Sequence, residues 1–260
     1  MGTNINNLLP MIERLVVISG IDFLILHQNS NQVEINEYHQ SIRVLPLDNL
    51  GLSKSRNAAL TYAQGEFIWL LDDDVMIEKS RLLILLKHLQ NNPSVDFLRV
   101  WINCLENSDE FFKNYQHLAR IHKLNLLQFS SIEIICRRDF VRQHNIQFNE
   151  RIGLGTPYQA TEEANFLIDA WQCNARFASY EEPFVQHTCN FEGRVLATDN
   201  IMLARGATAS RYGVLGVMLS LRWGIRYLIK YKKISYFISI VKGLYLGYDG
   251  FNKAIDSNSI

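Results

Sequence analysis

The sequence has few cysteines, and no two of them have the spacing of a metal-binding pair. The four residues are Cys104, Cys136, Cys173 and Cys189, with no C-x-x-C motif among them. This pattern argues against a structural zinc site and against a disulfide framework. We therefore expect four reduced thiols, in or near the core of a cytosolic protein. The N-terminus has neither the basic region nor the apolar core of a secretory signal.

Acidic residues are missing from a long C-terminal stretch. No Asp or Glu occurs from Asn200 to Tyr248, although the whole chain has 26 acidic residues against 26 Lys and Arg. The stretch contains eight basic residues: Arg205, Arg211, Arg222, Arg226, Lys230, Lys232, Lys233 and Lys242. Because the net charge is zero, the rest of the chain has a balancing excess of acidic residues. The C-terminal part therefore has a different surface from the rest.

Three consecutive carboxylates follow a short apolar segment in the first third of the chain. Residues 67–71 (Phe-Ile-Trp-Leu-Leu) have the composition of a buried strand, and Asp72, Asp73 and Asp74 come directly after it. Adjacent carboxylates repel one another, unless a divalent cation with a preference for oxygen ligands lies among them. Ligands also bind beyond the carboxyl ends of strands in open α/β sheets. The triplet alone is equally compatible with a solvated acidic turn before a helix that starts near Lys79.

Two further segments, one upstream and one downstream of this triplet in the sequence, also contain recognisable motifs. Upstream, the sequence predicts a glycine turn at Gly51, an N-cap at Ser53, a helix that ends at Tyr62, and Gly65-Glu66 before the strand. Arg56 and Asn57 lie near the start of that helix, where backbone N–H groups attract anions. Downstream, residues 148–156 contain a glycine loop, and residues 161–167 begin with Thr161-Glu162-Glu163. The second pair of carboxylates is predicted to open another helix.

In this combination and order the motifs resemble the inverting glycosyltransferases of family 2, which have the GT-A fold. Members of that family have a glycine, an Arg-Asn pair, a Gly-Glu pair, an apolar strand, an Asp-x-Asp motif and, later, a glycine loop with an acidic pair. The resemblance covers roughly residues 15–200. It implies a bacterial surface-polysaccharide type of enzyme.

The resemblance implies roles for the triplet and for one histidine. Asp74 is expected to bind Mn²⁺ or Mg²⁺, and Asp72 the ribose or base of the donor nucleotide. Asp73 occupies the variable middle position and is expected either to take part in donor binding or to turn outward. His187 follows the last predicted strand and is expected either to complete the metal site or to have a structural role.

The resemblance also implies roles outside the triplet. Glu163 takes the place of the catalytic base, and Glu162 either contacts the acceptor or caps the helix. Gln28 ends the second strand of the family pattern, where an amide can hydrogen-bond a base edge. Arg56 is expected to contact the nucleotide or diphosphate, or else to pair with a nearby carboxylate.

Strands and helices alternate along the chain, which predicts an α/β fold with a mixed, GT-A-like sheet flanked by helices. The predicted strands are residues 21–26, 42–46, 67–71, 96–102, 131–136 and 175–180. The other predicted helices are residues 7–15, 79–91, 138–144 and 163–173, and residues 110–127 are assigned to helix and loop. Residues 1–200 are predicted to form the transferase domain. Nothing before Leu8 has the pattern of a strand, so either the start codon is misplaced or the family's first strand is absent.

Residues 201–260 are predicted to form a basic, aromatic, amphipathic helical extension, with helices at 214–230 and 235–246. Arg222, Arg226, Lys230 and Lys233 recur at helical spacing, and six aromatic residues accompany them: Trp223, Tyr227, Tyr231, Tyr236, Phe237 and Tyr245. Such a segment suits an anionic membrane surface, and it is too charged to span a bilayer. The alternative is a helical lid with solvated lysines. No motif supports nucleic-acid binding.

These features together predict a metal-dependent inverting glycosyltransferase. It would move a sugar from a nucleotide-sugar donor, expected to be a UDP-sugar, to a saccharide or lipid-linked acceptor. It would be cytoplasmic and peripheral at the inner membrane face. Two alternatives stay open: a nucleotidyltransferase, although no glycine-rich basic phosphate loop is present, and a non-catalytic relative that binds a membrane or a partner transferase.

Overall fold

The computed structural model describes residues 2–3, 8–15, 17–28, 40–48, 51–189 and 197–253. Two compact units divide the chain. The first unit contains residues 1–148 and 166–192, and the second contains residues 149–165 and 193–260. Among the described residues, none of the helices combines the length and apolar character that a bilayer crossing requires.

Of the elements in the described residues, seven strands, four α-helices and two 3₁₀ helices lie wholly in the first unit. The strands are β1 (Gly2–Thr3), β2 (Phe23–Gln28), β3 (Ile42–Leu47), β4 (Phe67–Trp69), β5 (Phe97–Cys104), β6 (Ile134–Arg137) and β7 (Phe177–His187). The helices are α1 (Leu8–Arg14), α2 (Leu52–Tyr62), α3 (Lys79–Asn91) and α4 (Arg138–Gln143), with 3₁₀ helices at Lys123–Gln128 and Ser131–Glu133. Helix α5 (Glu162–Gln172) begins in the second unit and ends in the first.

The strands form two sheets. Strands β1, β2 and β3 make a parallel sheet in that order. The second sheet has the order β4-β6-β5-β7, in which β6 is antiparallel to both neighbours and β5 is parallel to β7. A mixed sheet with flanking helices confirms the predicted α/β class.

Apolar faces of the helices cover both sheets. Leu8 and Met11 of α1 pack against Ile25 and Ile42 of the parallel sheet. On the mixed sheet, α3 buries three residues at helical spacing, Leu82, Leu85 and Leu89. All eight residues of β5 are buried, which is expected for a central strand covered on both faces.

Several predicted elements differ from the observed ones. Helix α2 has Gly51, not Ser53, as its N-cap; Gly51 has a φ of 138°, which glycine adopts easily, and Ser53 is buried within the first turn. A two-residue strand precedes α1, where none was expected. Strand β7 is longer than predicted, and residues 131–133 form a 3₁₀ helix rather than the start of a strand.

The prediction of four reduced cysteines was wrong. Cys104 and Cys189 form a disulfide across 85 residues of sequence, with their Cα atoms 5.2 Å apart. The cause is the strand register, because Cys104 pairs with His187 at the end of β5 and β7, so Cys189 follows two residues later. Cys136 and Cys173 are free. Burial raises the pKa of the Cys136 thiol to about 12, which keeps it protonated and inert.

The second unit is built around three helices, α6 (Asp199–Ser210), α7 (Val214–Tyr231) and α8 (Ile234–Lys253). Helices α7 and α8 confirm the predicted helical extension, whereas α6 was not predicted. Thr198 caps α6, since its hydroxyl accepts a hydrogen bond from the backbone N–H of Ile201. Tyr236 of α8 is buried, and its hydroxyl donates a hydrogen bond to the carbonyl of Ala197.

Candidate active site

Three candidate ligand residues meet where two strands of the mixed sheet end. Asp72 and Asp74 follow β4, and His187 is the last residue of β7. The chain segments after β4 and at the end of β7 are joined by an antiparallel bridge between Met76 and Gln186, with both N–H···O distances 2.9 Å. This bridge holds His187 beside the acidic triplet.

The ligand atoms of these three side chains are close enough to share one ion. Each of Asp72, Asp74 and His187 offers one atom, and all these atoms lie within 4.8 Å of one another. His187 Nε2 is 3.3 Å from Asp74 Oδ2. His187 Nδ1 is 2.8 Å from the carbonyl oxygen of Thr188, which can only accept, so Nδ1 carries a proton. The ring is therefore oriented with Nε2 towards the carboxylates.

The pair His187–Asp74 alters the ionisation of both groups. The hydrogen bond that His187 donates to Asp74 raises the pKa of His187 to about 9, and burial of the ring opposes that rise. The same hydrogen bond lowers the pKa of Asp74. At neutral pH the two groups form an ion pair, which leaves Nε2 protonated.

The donor set fits a divalent cation. Two carboxylates and an imidazole suit Mn²⁺, and the carboxylates suit Mg²⁺. The carbonyl that accepts from Nδ1 is the outer partner usually found behind a metal-bound histidine, since it fixes the ring tautomer. Binding would displace the Nε2 proton.

Asp73 is not one of the three residues of this cluster. Its carbonyl oxygen accepts a hydrogen bond from Arg14 Nη2 at 3.1 Å. Arg14 thereby ties the end of α1 to the acidic segment. Its positive charge also contributes to the lowered pKa of Asp74.

The predicted donor residues Gln28 and Arg56 have structural contacts. Gln28 Nε2 donates to the carbonyl oxygen of Gly51 at 3.1 Å, which holds the turn before α2. Arg56 is 8% exposed, and its guanidinium lies 5.4 Å from the centre of the Phe148 ring. Arg56 is therefore a buried residue, not a surface one.

Asn57, the second residue of the Arg-Asn pair, has a clear structural function. Its side-chain N–H donates to the carbonyl of Phe148 at 2.9 Å, and its oxygen accepts from the N–H of Phe148 at 2.8 Å. These two bonds fix the backbone of Phe148 against α2. The glycine loop begins directly after this residue.

The predicted catalytic pair lies in the second unit, at the start of α5. Glu162 is buried, and Glu163 is half-buried. Both side chains are in the first turn, where the helix N-terminus favours negative charge. The preceding residue, Thr161, has a φ of 77°, a conformation that is strained for a β-branched residue. Such strain persists only when neighbouring contacts enforce it.

A buried hydrogen-bond network enforces this conformation. The hydroxyl of Thr161 lies 2.8 Å from that of Thr208 on α6. Asn165 Nδ2 donates to the Thr161 carbonyl at 2.9 Å and to the Thr208 hydroxyl at 2.9 Å. Arg211 Nη1 donates to the backbone and side-chain oxygens of Asn165. The network fixes the backbone from which Glu162 and Glu163 project.

A family model for "Glycosyl transferase family 2" matches residues 6–151, which is more than half of the chain. The chain belongs to glycosyl transferase family 2. A curated relative, an uncharacterized glycosyltransferase of Methanocaldococcus jannaschii, is 30% identical over 102 residues. That match covers 36% of this chain and 35% of the relative, so the chain spans about a third of that relative's length.

Solved structures of S. aureus TarS share the fold of this family 2 chain. The TarS 1-349 structure has a TM-score of 0.55 at 18% identity, covering 81% of this chain and 63% of that one. The complex of TarS 1-349 with UDP-GlcNAc has a TM-score of 0.54, and the match covers 79% of this chain and 60% of that one. These matches confirm the predicted GT-A-like fold.

The sequence does not reveal every residue that organises the family 2 site. The Met76–Gln186 bridge joins residues that lie close to the acidic triplet and to His187 but belong to neither, so the family motif does not indicate them. Thr161 and Asn165 flank the Glu-Glu pair, but a strained φ in threonine has no signature in a sequence. Asn57 belongs to the recognised Arg-Asn pair. The motif therefore singled out this residue, but it did not show that Asn57 hydrogen-bonds the backbone of Phe148.

Proposed function

We propose that this chain transfers a sugar from a nucleotide-sugar donor to a hydroxyl acceptor with inversion at the anomeric carbon. The observation that carries the proposal is the cluster of Asp72, Asp74 and His187 at the strand ends of a family 2 chain. The TarS structures in complex with UDP and with UDP-GlcNAc support UDP as the first nucleotide to test. Family membership argues against a nucleotidyltransferase.

Asp74 and His187 would hold a Mn²⁺ or Mg²⁺ ion, with Asp72 at its side. When bound, the ion offsets the negative charge that develops on the departing nucleoside diphosphate. Asp72 is the proposed contact to the nucleotide. Gln28 and Arg56 remain proposed donor residues, and their contacts to Gly51 and Phe148 support a role in shaping the donor site around α2.

Glu163 is the proposed base. Its carboxylate accepts the proton of the acceptor hydroxyl while that oxygen forms a bond to the anomeric carbon. The bond from that carbon to the nucleoside diphosphate breaks in the same displacement, so an α-linked donor gives a β-linked product. Glu162 is proposed to contact the acceptor or to stabilise the helix start; its burial supports the second role.

The acceptor is proposed to be a saccharide carried by a lipid, in the assembly of a bacterial surface polysaccharide. Supporting evidence comes from an exposed apolar stripe on α7 at intervals of three or four residues: Val214, Met218, Leu221, Ile225 and Ile229. A similar stripe on α8 consists of Ile234, Ile238, Val241 and Tyr245. Basic residues lie beside both stripes, namely Arg222, Arg226, Lys230 and Lys242.

An apolar stripe flanked by positive charge fits the boundary between headgroups and acyl chains of an anionic bilayer. We therefore propose a peripheral location at the inner face of the membrane. The expectation of a cytosolic protein was based on four reduced thiols, and the Cys104–Cys189 disulfide means that this argument no longer holds. The proposed location is therefore supported by the family resemblance and by the apolar stripes of α7 and α8.

The donor site is tested by thermal unfolding with UDP, with Mn²⁺ and with both. A ligand that binds only the native state raises its stability, so we expect a rise in Tm that requires both. Asp74→Asn should abolish the Mn²⁺-dependent part of the rise. Asp109→Asn, at an exposed carboxylate in the loop after β5, should leave it unchanged.

The same experiment tests the remaining alternative. If UDP, GDP, CDP and ADP all fail to shift Tm in the presence of Mn²⁺, the result favours a non-catalytic family member. A shift that survives in Asp74→Asn would instead remove Asp74 from the metal site while leaving nucleotide binding in place.

A further inference from the structure

Two short chain segments beside the metal cluster are joined by a covalent bond. The disulfide links Cys189, two residues after His187, to Cys104, the last residue of β5. Cys104 and His187 lie opposite each other in the parallel pairing of β5 with β7. The disulfide therefore connects the ends of both strands at the place where His187 Nε2 lies 3.3 Å from Asp74 Oδ2.

Hydrogen bonds link the same two segments. Glu106, two residues after β5, accepts one hydrogen bond from the hydroxyl of Thr188 and another from the backbone N–H of Cys189, the latter at 2.9 Å. The N–H of Leu105 donates to the carbonyl of His187 at 2.9 Å. We call residues 104–106 and 187–189, which these bonds and the disulfide hold together, the clamp.

A single peptide group of the clamp connects Glu106 to the imidazole of His187. The C=O of Thr188 and the N–H of Cys189 belong to this planar, trans group, so they point in opposite directions. Glu106 accepts from the N–H at one end, and at the other end the C=O accepts from His187 Nδ1 at 2.8 Å. A carboxylate that fixes the N–H therefore also fixes the carbonyl that determines the ring tautomer.

The disulfide contributes what the hydrogen bonds of the clamp lack. Glu106 is exposed, so water competes for its hydrogen bonds and each of them contributes little to stability. Cys104, in contrast, is 4% exposed, and its N–H donates to the carbonyl of Glu110 at 2.8 Å. The covalent bond to this buried residue therefore keeps Cys189 in place even when water replaces the contacts of Glu106.

The segment that returns alongside β5 also contacts the ring of His187. The N–H of Phe112 donates to the carbonyl of Ile102 at 3.0 Å, which places residues 110–112 beside β5. The Phe112 ring lies 5.1 Å from the imidazole, between centroids, with the two planes at 69°. This contact limits rotation of the imidazole, but it does not select the nitrogen that carries the proton. That selection depends on the carbonyl of Thr188.

We propose that the Cys104–Cys189 disulfide and Glu106 are positioning groups for His187, and that reduction of the disulfide weakens the metal site. The inference rests on the proposed function, because it takes His187 as a ligand of the ion. With the disulfide closed, the Thr188 carbonyl holds the proton on Nδ1 and leaves Nε2 for the ion. With the disulfide open, only hydrogen bonds hold this peptide group, and the ring has access to both tautomers.

The reductant that this step requires is a dithiol. Cys189 is half-buried and Cys104 is buried, so a thiolate of the dithiol attacks Cys189 Sγ, and Cys104 Sγ leaves. The second thiol of the reductant then displaces Cys189 Sγ from the mixed disulfide. The dithiol becomes a disulfide, and its two electrons and two protons reach the protein sulfurs. Disulfides in a reducing compartment, such as the proposed inner membrane face, are usually reversible in this way.

The first test measures the tautomer of His187 in the metal-free protein. At about pH 10 the ring is neutral, and nitrogen-15 NMR distinguishes its protonated nitrogen from the unprotonated one. The unaltered protein should have the proton on Nδ1 alone. Reduction with dithiothreitol and the variant Glu106→Ala should each give a mixture of both tautomers. Asp109→Ala, at an exposed carboxylate of the same loop, should give the spectrum of the unaltered protein.

The second test measures the affinity for Mn²⁺ alone, from the EPR signal of the free ion. After treatment with dithiothreitol and its anaerobic removal, the Kd should rise about 10-fold to 100-fold, and reoxidation should restore it. The double variant Cys104→Ser with Cys189→Ser should have the weaker affinity from the start and should not respond to the treatment. Cys173→Ser, which removes a half-buried free thiol, should respond as the unaltered protein does.

The two tests separate this inference from the proposed function. An unchanged tautomer in both the reduced protein and Glu106→Ala would overturn the positioning role of the clamp. A changed tautomer with equal Mn²⁺ affinity in the two redox states would overturn the effect of reduction on the metal site. If no form of the protein binds Mn²⁺, the proposed function fails instead, and the tautomer alone decides whether the clamp positions His187.

Discussion

His187 and Asp74 form a charged pair, so their contribution to stability depends on pH. The raised pKa of His187 means that its contribution is complete below the ordinary value of 6.5 and is lost as pH rises through about 9. The lowered pKa of Asp74 means that its contribution is present above the ordinary value of 3.8 and is lost as pH falls through the folded value. The pair is therefore most stabilising between these two ordinary values.

We expect His187→Gln to lower Tm at pH 5–6 in the presence of a chelator, and the difference from the unaltered protein to vanish by about pH 10. The loss should be below about 1 kcal/mol, because Asp74 is 53% exposed and solvent screens the pair. Thermal unfolding across this pH range measures it. The control is His144→Gln, at an exposed histidine, which should not show the loss of Tm that we attribute to the His187–Asp74 pair. If His187→Gln instead lowers Tm by the same amount from pH 5 to pH 10, the assignment of the pair is contradicted.

Glu163 is the residue on which the proposed chemistry depends. Glu163→Gln keeps the size of the side chain and removes its basicity, so turnover should fall by about 10²–10⁴ while the Mn²⁺-dependent UDP shift in Tm is kept. Glu182→Gln, at a surface pair with Arg81, is the matched control and should keep full turnover. Parallel loss of turnover and UDP binding would assign Glu163 to donor binding or folding instead.

The sequence pointed to Asp72, Asp74 and His187 because a family motif carries them, and the structure brings their ligand atoms together. Their roles remain predictions. The Cys104–Cys189 bond was not predictable in the same way, because its cysteines are 85 residues apart and only the pairing of β5 with β7 brings them together. Local patterns identify residues, whereas contacts between distant strands depend on the complete fold.

At the scale of elements, periodicity predicted the helices that have one apolar face. Helix α3 has the predicted bounds, Lys79–Asn91, because its buried leucines recur on one face between solvated residues. Helix α6 was missed because seven of its residues are buried, several of them small, so it has no alternation between an apolar and a polar face. Its stability comes from its neighbours, which a local pattern does not contain.

Glycines allow α6 and α8 to pack with their backbones close together. A Cβ added to Gly206 would lie 2.0 Å from the carbonyl oxygen of Ile240, and one added to Gly243 would lie 2.1 Å from that of Leu203. Both distances are far shorter than a van der Waals contact. The atoms contacted belong to the backbone, so they cannot rotate away as a flexible side chain could. These glycines therefore set the distance between the two helices.

We expect Gly206→Ala to destabilise the second unit by about 1–3 kcal/mol, measured by denaturant unfolding. The sign is diagnostic, because the same change in an uncrowded helix stabilises by up to about 1 kcal/mol. Val241→Leu adds volume at an exposed position of α8 and should change stability by less than about 0.5 kcal/mol. A neutral or stabilising Gly206→Ala would mean that the two helices are not closely packed.

At the scale of the whole molecule, the charge asymmetry of the sequence predicted a distinct C-terminal surface. The basic residues of α7 were predicted to carry membrane contact together with the aromatic residues. In the structure, the aromatic side chains largely pack within the unit: Tyr236 is buried, and Tyr227 stacks on Tyr231 and lies beneath Arg205. The exposed apolar residues are mainly aliphatic. The sequence did not show which apolar side chains of α7 and α8 would be exposed, because burial of each helix face depends on α6.

Vesicle flotation tests the apolar stripes of α7 and α8 as a membrane-docking surface. The protein should bind vesicles that contain about one third phosphatidylserine and should bind pure phosphatidylcholine weakly, because basic side chains attract anionic headgroups at about 1 kcal/mol each. Met218 and Ile225 are 63% and 52% exposed, so Met218→Asp with Ile225→Asp places two charges in the stripe without disturbing the core. This double variant should lose most of its binding, whereas Leu83→Asp, at a 48% exposed leucine of α3, should retain it. Unchanged binding by the double variant would exclude the stripe as the docking surface. A dimer that dissociates in the double variant, with no vesicle binding by the unaltered protein, would assign the stripe to a second copy of the chain.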